Sequence, residues 1–439
     1  MVKISKQLPT IGAVALAAIL VVLQIDDNLD SESKTMLENS TTSDISSSWF
    51  YMMGFGASKD QDPLYTGRAR YISYIHAKAL TVRTRSEFDY IDVLGASSLE
   101  NTEGAIYCEF YEENCIGEIL NNRKIIQSEL EKHSLLVSRY LKFASMRNYK
   151  TMIVPSMDSI YPRFQYLIDG SRLIGLKAID AALNGDHMAA AELLLSNEIT
   201  IREKLAESDD LLFTLILLFM FSENIDKTAL VNVISGVSSG EISPLSLQEK
   251  NFDQEVAREF ELGNSTINSI YQNQKHDSIG YHIVRPILYT FVKPNMSANL
   301  IRMAYEHELR LSNMSHTEFA VATLKPRIKH SSISNYIRNL GGTYMSDTSK
   351  IDLGIYFARM YDLDAKIALY NHIFKQSNLS LVQLSDSFVN PYYGEVGHSY
   401  VSENAICFKG PYDNTRGRMC VFVINENSDV LNYAETTPY

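Results

Sequence analysis

No charge interrupts the chain from Leu8 to Ile25, between Lys3 and Lys6 on one side and Asp26, Asp27 and Asp30 on the other. At ~1.5 Å rise per residue a helix over this run nearly covers the ~30 Å hydrocarbon layer of a bilayer, and the basic flank places its N-terminus on the cytoplasmic side. Pro9 falls in the first turn, where a missing backbone donor breaks no helical bond. The small residues Ala13, Ala15, Ala17 and Ala18 lie inside the run and Val21 to Ile25 close it, whereas signal-peptide cleavage needs small residues after the apolar core. Residues 1–25 are read as a retained membrane anchor, with a cleaved signal peptide as the alternative.

Residues 26–48 are mostly Ser, Thr, Asp, Glu and Asn, which bury little surface, and are expected to form a solvated polar linker. The aromatic cluster Trp49 to Phe55 then docks the chain onto a helical body spanning 49–375. A helix is expected over Gly67 to Thr84. Another is predicted over 116–146, where Ile119, Ile126, Leu130, Val137 and Leu141 recur at steps of seven and four. Leu173, Leu176, Ile179 and Leu183 belong to the first arm of a helical hairpin. Asn184-Gly185 ends that arm and Asp186 caps the next, which is rich in Ala, Leu and Glu. Ser208 is positioned to cap a third helix with Asp209 and Asp210 in its first turn. Leu211 to Phe221 is too short to cross a bilayer and reads as a core helix. Gly236 to Ser246 is a loop, and further helices are expected around 249–260, 299–311 and 351–374. No fixed repeat marks a solenoid.

After about Gln376 the pattern changes. Asn390-Pro391-Tyr392-Tyr393-Gly394 is a turn signal, and Ala405 to Phe408 and Met419 to Ile424 read as strands. The fold class is therefore mostly α, a helical-hairpin array with a small C-terminal β-hairpin module over 376–439. The cysteines fall as two close pairs, Cys108 with Cys115 and Cys407 with Cys420. Neither pair has the spacing of a zinc site, so both are read as local disulfides, although sequence alone admits three pairings. A bond between Cys407 and Cys420 pins the β-hairpin. All four lie beyond the anchor, which fits an oxidising compartment.

Composition bounds the partners. The 439 residues are 45% hydrophobic and 21% charged, ordinary globular values. Forty Lys and Arg against 52 Asp and Glu give a net charge of −12 without a basic stripe, which argues against nucleic acid.

Several landmarks occur in a telling order: Trp49 to Phe55 with Asp62-Pro63 and Gly67-Arg68-Ala69-Arg70; the Cys108 and Cys115 pair with Leu135-Leu136 and Arg139-Tyr140; Asn184-Gly185-Asp186 with Arg202 and Ser208-Asp209; Lys293-Pro294-Asn295 with Asn299-Leu300; and Asn390-Pro391-Tyr392 with Gly394. Together they resemble an uncharacterised family of proteobacterial single-span envelope proteins. The resemblance implies a helical, membrane-anchored chain and adds no chemistry, since that family has no assigned activity. The Gly236 to Ser246 loop and the second cysteine pair depart from its pattern.

Candidate chemistry is sparse. Gly236-Val237-Ser238-Ser239-Gly240 matches the Gly-x-Ser-x-Gly elbow, which makes Ser238 the candidate nucleophile of a serine hydrolase. That motif needs a strand before it, for which Leu230 to Ile234 is the only candidate, and a helix after it, which Pro244 opposes. His307 lies between Glu306 and Glu308 but lacks a second histidine four residues on; His276 and His282 have no ligand geometry; and His133 reads as a partly buried, satisfied imidazole. The pairs Asp209-Asp210 and Glu112-Glu113 are expected to be solvated. The 26 tyrosines could furnish an aromatic cleft for glycan or lipid. The resulting expectation is a non-enzymatic structural or interaction protein of the inner membrane with its bulk in the periplasm. It has an unknown envelope partner and neither cofactor nor metal; a periplasmic hydrolase using Ser238 and a glycan- or lipid-binding module are the alternatives.

Overall fold

The apolar run Leu211 to Phe221 is the first half of a 25-residue helix that is buried along most of its length. The computed structural model in which it lies describes residues 25–41, 44–84, 99, 102, 105–110, 114–236, 240–272, 291–325, 331–348, 352–376, 379–402, 405–412 and 418–423. The anchor expected over 8–25 falls outside them except for Ile25. Among the described residues no helix is long and apolar enough to cross a membrane.

In chain order the helices are α1 (Ser31–Asn39), α2 (Ser47–Met53), α3 (Pro63–Thr84), α4 (Cys115–Asn121), α5 (Arg123–Lys132), α6 (Ser134–Ala144), α7 (Gln165–Leu183), α8 (His187–Glu207) and α9 (Leu211–Ser235). They continue as α10 (Asp253–Gln272), α11 (Pro294–Ser312), α12 (His316–Thr323), α13 (Ile333–Arg338), α14 (Leu340–Thr348), α15 (Gly354–Lys375) and α16 (Leu381–Ser387). The strands β1 (Ser399–Ser402), β2 (Ala405–Phe408) and β3 (Cys420–Phe422) form one antiparallel sheet in that order. The mostly α fold with a small C-terminal sheet is thus the one expected, with β1 as an unforeseen third strand. Cys407 and Cys420 sit directly opposite each other on β2 and β3 and are bonded, as are Cys108 and Cys115.

Helices α7, α8 and α9 pack against one another, and α15 and β3 cover further sides of α9. The expected hairpin is present: Leu173, Leu176 and Ile179 are buried, Gly185 takes φ +80°, and Asp186 accepts the Ala189 N–H at 3.1 Å. Ile406, Phe408 and Val421 join the same core as the helices, so the sheet is seated on the helical body. Where α2 meets α3, a Cβ at Gly67 would lie 1.7 Å from the Phe50 carbonyl oxygen, so only glycine permits the approach. Trp49 is fully buried in this corner.

Four expectations need correction. The solvated linker expected over 26–48 is instead folded and docked in its described residues, 26–41 and 44–48. The Asp26 carboxylate accepts the Asn295 and Met296 N–H groups at the start of α11, Asp27 pairs with Arg338 at 2.6 Å, and Asp30 caps α1 through Ser33 N. Unsatisfied amides at a helix start attract a carboxylate, so Asp26 serves amides about 270 residues away while Asp30 serves its own helix. The single long helix over 116–146 is three, broken at Asn122 and His133; the breaks turn the register so that Leu136, Tyr140 and Phe143 are buried while Leu141 is half exposed. The third hairpin helix is capped by Asp210, which accepts Phe213 N, rather than by Ser208. Leu230 to Ile234 continues α9 rather than forming a strand, because its apolar residues share the helix's buried faces; Gly236 then ends it at φ +64°.

Helix α9 carries charge into the core. Asp226 accepts from Lys366 of α15 at 2.8 Å, and Glu223 accepts from Arg172 of α7 at 2.6 Å and from Lys227 at 3.2 Å. Burial pushes the Asp226 carboxyl up to about 6 against the pull of Lys366. The same desolvation acts on Glu223, yet Lys227 and Arg172 outweigh it and hold that carboxyl below its ordinary value. Removing one partner of such a pair leaves an uncompensated buried charge. Lys366→Met is therefore expected to lower stability by about 3 to 5 kcal/mol. The double change Asp226→Leu with Lys366→Met should recover most of the loss, as read from denaturation midpoints of the full chain.

Candidate functional site

Ser238 lies outside the described residues, as do Glu112, Glu113, His276 and His282. The residues leading into the Gly-x-Ser-x-Gly motif are helical, so the strand that an elbow requires on its upstream side is not formed. His133 is buried with Nε2 3.2 Å from Glu129 Oε2. Beside His307, Glu308 accepts the Leu353 and Gly354 N–H groups and so caps α15, while Glu306 pairs with Arg302. Among the described residues no group of three His, Cys, Asp or Glu is placed to hold a metal ion.

Other landmarks serve the scaffold. Arg139 is buried and donates to the carbonyls of Phe55, Ala57 and Ser58, fixing the turn after α2. Tyr140 donates to Asn197 Oδ1 at 2.6 Å, Arg202 pairs with Glu249 at 2.8 Å, and Asn390 Nδ2 ties the carbonyls of His398 and Lys409.

Asp209 and Asp210, expected to be solvated, are buried. They sit where α8 passes into α9, and both find backbone amides there: Asp209 accepts Thr151 N at 3.0 Å, and Asp210 caps α9. Glu255 of α10 approaches the same corner and accepts from Thr214 Oγ1 at 2.8 Å. Burial pushes its carboxyl up to about 8, and the hydroxyl of Thr214 only partly offsets this. Glu259, one turn on, is pushed up to about 7 by burial and by Asp210, with Arg258 opposing. Arg258 in turn donates to the carbonyls of Ser40 and Ile153, so the cluster ties α10 to two loops.

Two concavities flank the central helices. The first, about 450 Å³, has an apolar wall formed by α9 from Leu212 to Phe219 together with Ile168 of α7. Its facing wall carries Arg359 and Asp362 of α15 and Arg418, two residues before β3. Ser222 ends the α9 wall, where its hydroxyl accepts from Lys366 Nζ at 2.9 Å. A serine beside a lysine resembles a nucleophile and its base, but this ammonium already donates to Asp226 and so has no vacancy for the serine proton.

The second concavity, about 330 Å³, lies between α8 and the 240–242 segment. Leu194 and Ile242 contribute apolar lining, and its charged lining is Glu192, Glu198 and Glu241, of which Glu198 is paired with Arg202 at 3.5 Å and Glu241 with Lys375 at 3.0 Å. Along the adjoining face of α8, Met188, Leu195 and Ile199 are 84%, 57% and 48% exposed. Their spacing of seven and four puts them in one stripe. Neither concavity is lined by tyrosine, so the aromatic cleft considered from sequence has no counterpart in either.

The α8 stripe was readable in sequence as part of a helix rich in Ala, Leu and Glu, but not as a face left uncovered, because the neighbours of a helix are set by tertiary packing. The facing wall of the larger cavity gave no signal at all, since Arg359, Asp362 and Arg418 come together only when β3 folds against α15. Comparison of the chain with protein-family models, with curated proteins and with solved structures yields no match.

The Glu255 carboxyl gives a pH prediction with a definite sign. Its folded value of about 8 lies above the ordinary 4.5, so the folded chain holds a proton that the unfolded chain has released. The associated stability is full below about 4.5 and is lost as pH rises through about 8. Glu255→Gln keeps an acceptor for Thr214 and has no proton to lose. Thermal unfolding should find it more stable than the parent at pH 8 to 9 by at least about 1 kcal/mol, with the difference closing near pH 4.5.

Proposed function

We propose that this chain is a non-enzymatic interaction protein of the bacterial cell envelope, tethered to the inner membrane by residues 8–25 with its N-terminus cytoplasmic and its body in the periplasm. The α8 face docks a helix of an envelope partner. One observation carries the docking: the exposed stripe of Met188, Leu195 and Ile199 beside a groove whose charged lining is entirely acidic.

Step-seven apolar positions are what a second helix packs against, and flanking charge selects the partner. The partner therefore presents its own apolar stripe bordered by Lys or Arg. The address draws support from the uncharged N-terminal run, from both cysteine pairs being bonded, and from the resemblance to proteobacterial envelope proteins. A hydrolase at Ser238 is disfavoured by the helical approach to the motif.

A photo-reactive amino acid at position 195 of the full chain, irradiated in intact cells, should give a discrete adduct to one membrane-fraction protein. The same probe at Glu131, which is also exposed, should not. Met188→Glu and Glu192→Lys should each weaken the adduct at least about tenfold without changing the unfolding midpoint. Equal adducts from both positions, or indifference to both substitutions, would remove the docking role. Recovery of the intact chain in the soluble cytoplasmic fraction with free thiols would remove the tether.

A further inference from the structure

We propose that α13 and the first turn of α14 rest in the head-group layer of the inner membrane, with Ile333, Ile337 and Leu340 against lipid, so that the body is held to the bilayer at a second place beside its anchor. The proposal rests on the tether over residues 8–25 and adds to it the orientation of the body.

Ile333, Ile337 and Leu340 are 81%, 66% and 49% exposed within one short stretch of chain. Ile333 and Ile337 stand four apart and share a face of α13, a helix that buries no residue at all. A surface helix ordinarily turns its apolar side to the core. This one is held by its polar groups instead. Ser332 and Asn335 form a capping box, the Tyr336 hydroxyl and Ser331 Oγ both donate to Asp347 of α14, and Arg338 pairs with Asp27 at 2.6 Å. The apolar side is turned outward by bonds that keep it there, which suits a surface made to leave water.

The partner is specified by where the anchor emerges. Ile25 closes the uncharged run and Asp26 follows it. Asp26 accepts the Asn295 and Met296 N–H groups at the start of α11, while Asn339, between α13 and α14, accepts Lys293 N at 2.8 Å and donates to Ser297 Oγ at 3.0 Å. One turn of α11 thus holds both the exit of the anchor and the corner between α13 and α14. That corner is tight, since a Cβ at Gly342 would lie 1.9 Å from Ser297 Oγ. From Ile25 to Asp27 an extended chain covers at most about 7 Å, and Asp27 already touches Arg338, the residue after Ile337. The head-group layer is about 5 to 8 Å deep on each side of the hydrocarbon. A span that ends at Ile25 accordingly brings α13 within reach of that layer, where an exposed isoleucine meets acyl carbon rather than water.

Bromine quenching of tryptophan tests the contact, with the full chain reconstituted into nanodiscs of brominated phosphatidylcholine. The sole native tryptophan, Trp49, is fully buried and serves as the blank. Ile337→Trp should lose at least about half of its added fluorescence to bromines near the carbonyl end of the acyl chains, and less to bromines near the methyl end. Leu247→Trp, at a residue 90% exposed on the turn before α10, should lose little to either. Adding Ile333→Asp to Ile337→Trp should cut the quenching about twofold or more, while the unfolding midpoint stays in place because Ile333 is exposed. Leu16→Trp reads the anchor separately, through bromines near the methyl end. Quenching of Leu16→Trp without quenching of Ile337→Trp would overturn the contact and leave the tether; quenching of neither would remove both. Equal quenching of Ile337→Trp and Leu247→Trp would also overturn the contact. So would an indole that is shielded only in discs carrying two chains, since the occupant would then be a second copy.

Discussion

The structure depends on how α9 keeps charged groups inside the core. A helix covered by α7, α8, α15 and β3 would ordinarily be apolar on every side, as its first half nearly is. Its second half instead carries Glu223, Asp226 and Lys227, and desolvating them would cost several kcal/mol per charge without partners. Each partner comes from a different neighbour, Arg172 from α7 and Lys366 from α15. Asn232 adds a third tie, donating to the Tyr370 hydroxyl at 2.7 Å. Apolar contacts tolerate a slide of one helix along another far better than these pairs do. The charges therefore fix the register of α7 and α15 on α9, and everything hung on those helices inherits it.

A second theme is capping at a distance. Asp26 closes the start of α11, Glu308 of α11 closes the start of α15, and Glu207 of α8 receives the Asn148 and Tyr149 amides. The 240–246 segment is strapped to α15 in the same way, with Ile242 N bonded to Asn371 and Leu245 N to Asp364. An amide without a partner in a partly buried place is a liability of about 1 to 3 kcal/mol. Side chains from remote elements meet that need here and turn helix ends into tertiary links. Such links add to the packing of Leu29, Met36 and Leu37 against the core in holding the polar stretch 26–41 in place.

That mechanism also marks the boundary of what the sequence makes legible. Local signals were reliable wherever the cause is local: the Asn184-Gly185-Asp186 junction, the turn at Asn390 to Gly394, the paired strands around Cys407 and Cys420, and the burial of Trp49. Composition misread residues 26–48 because their acids answer to α11 and α13, far along the chain. The breaks at Asn122 and His133 interrupt an apolar period that looks continuous, since a seven-residue recurrence is indifferent to a kink that re-aims the next turn. Asp209 and Asp210 looked solvated because nothing nearby in sequence announces Thr151 N or the approach of α10. The concavities were the least legible of all, being made of residues from three or four elements.

Both concavities borrow from α9, Thr228 lining the groove and the Leu212 to Ser222 face lining the cavity, and this bears on how they relate. For one site to influence the other, α9 would have to shift or rotate between two arrangements. Such a shift would separate Asp226 from Lys366 and Glu223 from Arg172 at once, leaving buried charges unpaired on both sides. The penalty for either break exceeds the 1 to 3 kcal/mol typical of coupling between sites, which is about what a ligand's preference for one state supplies. Helix α9 accordingly acts as a rigid partition. A partner of the kind proposed for the α8 face would leave the α15 side of α9 undisturbed, because the charges that hold the scaffold in register resist the shift.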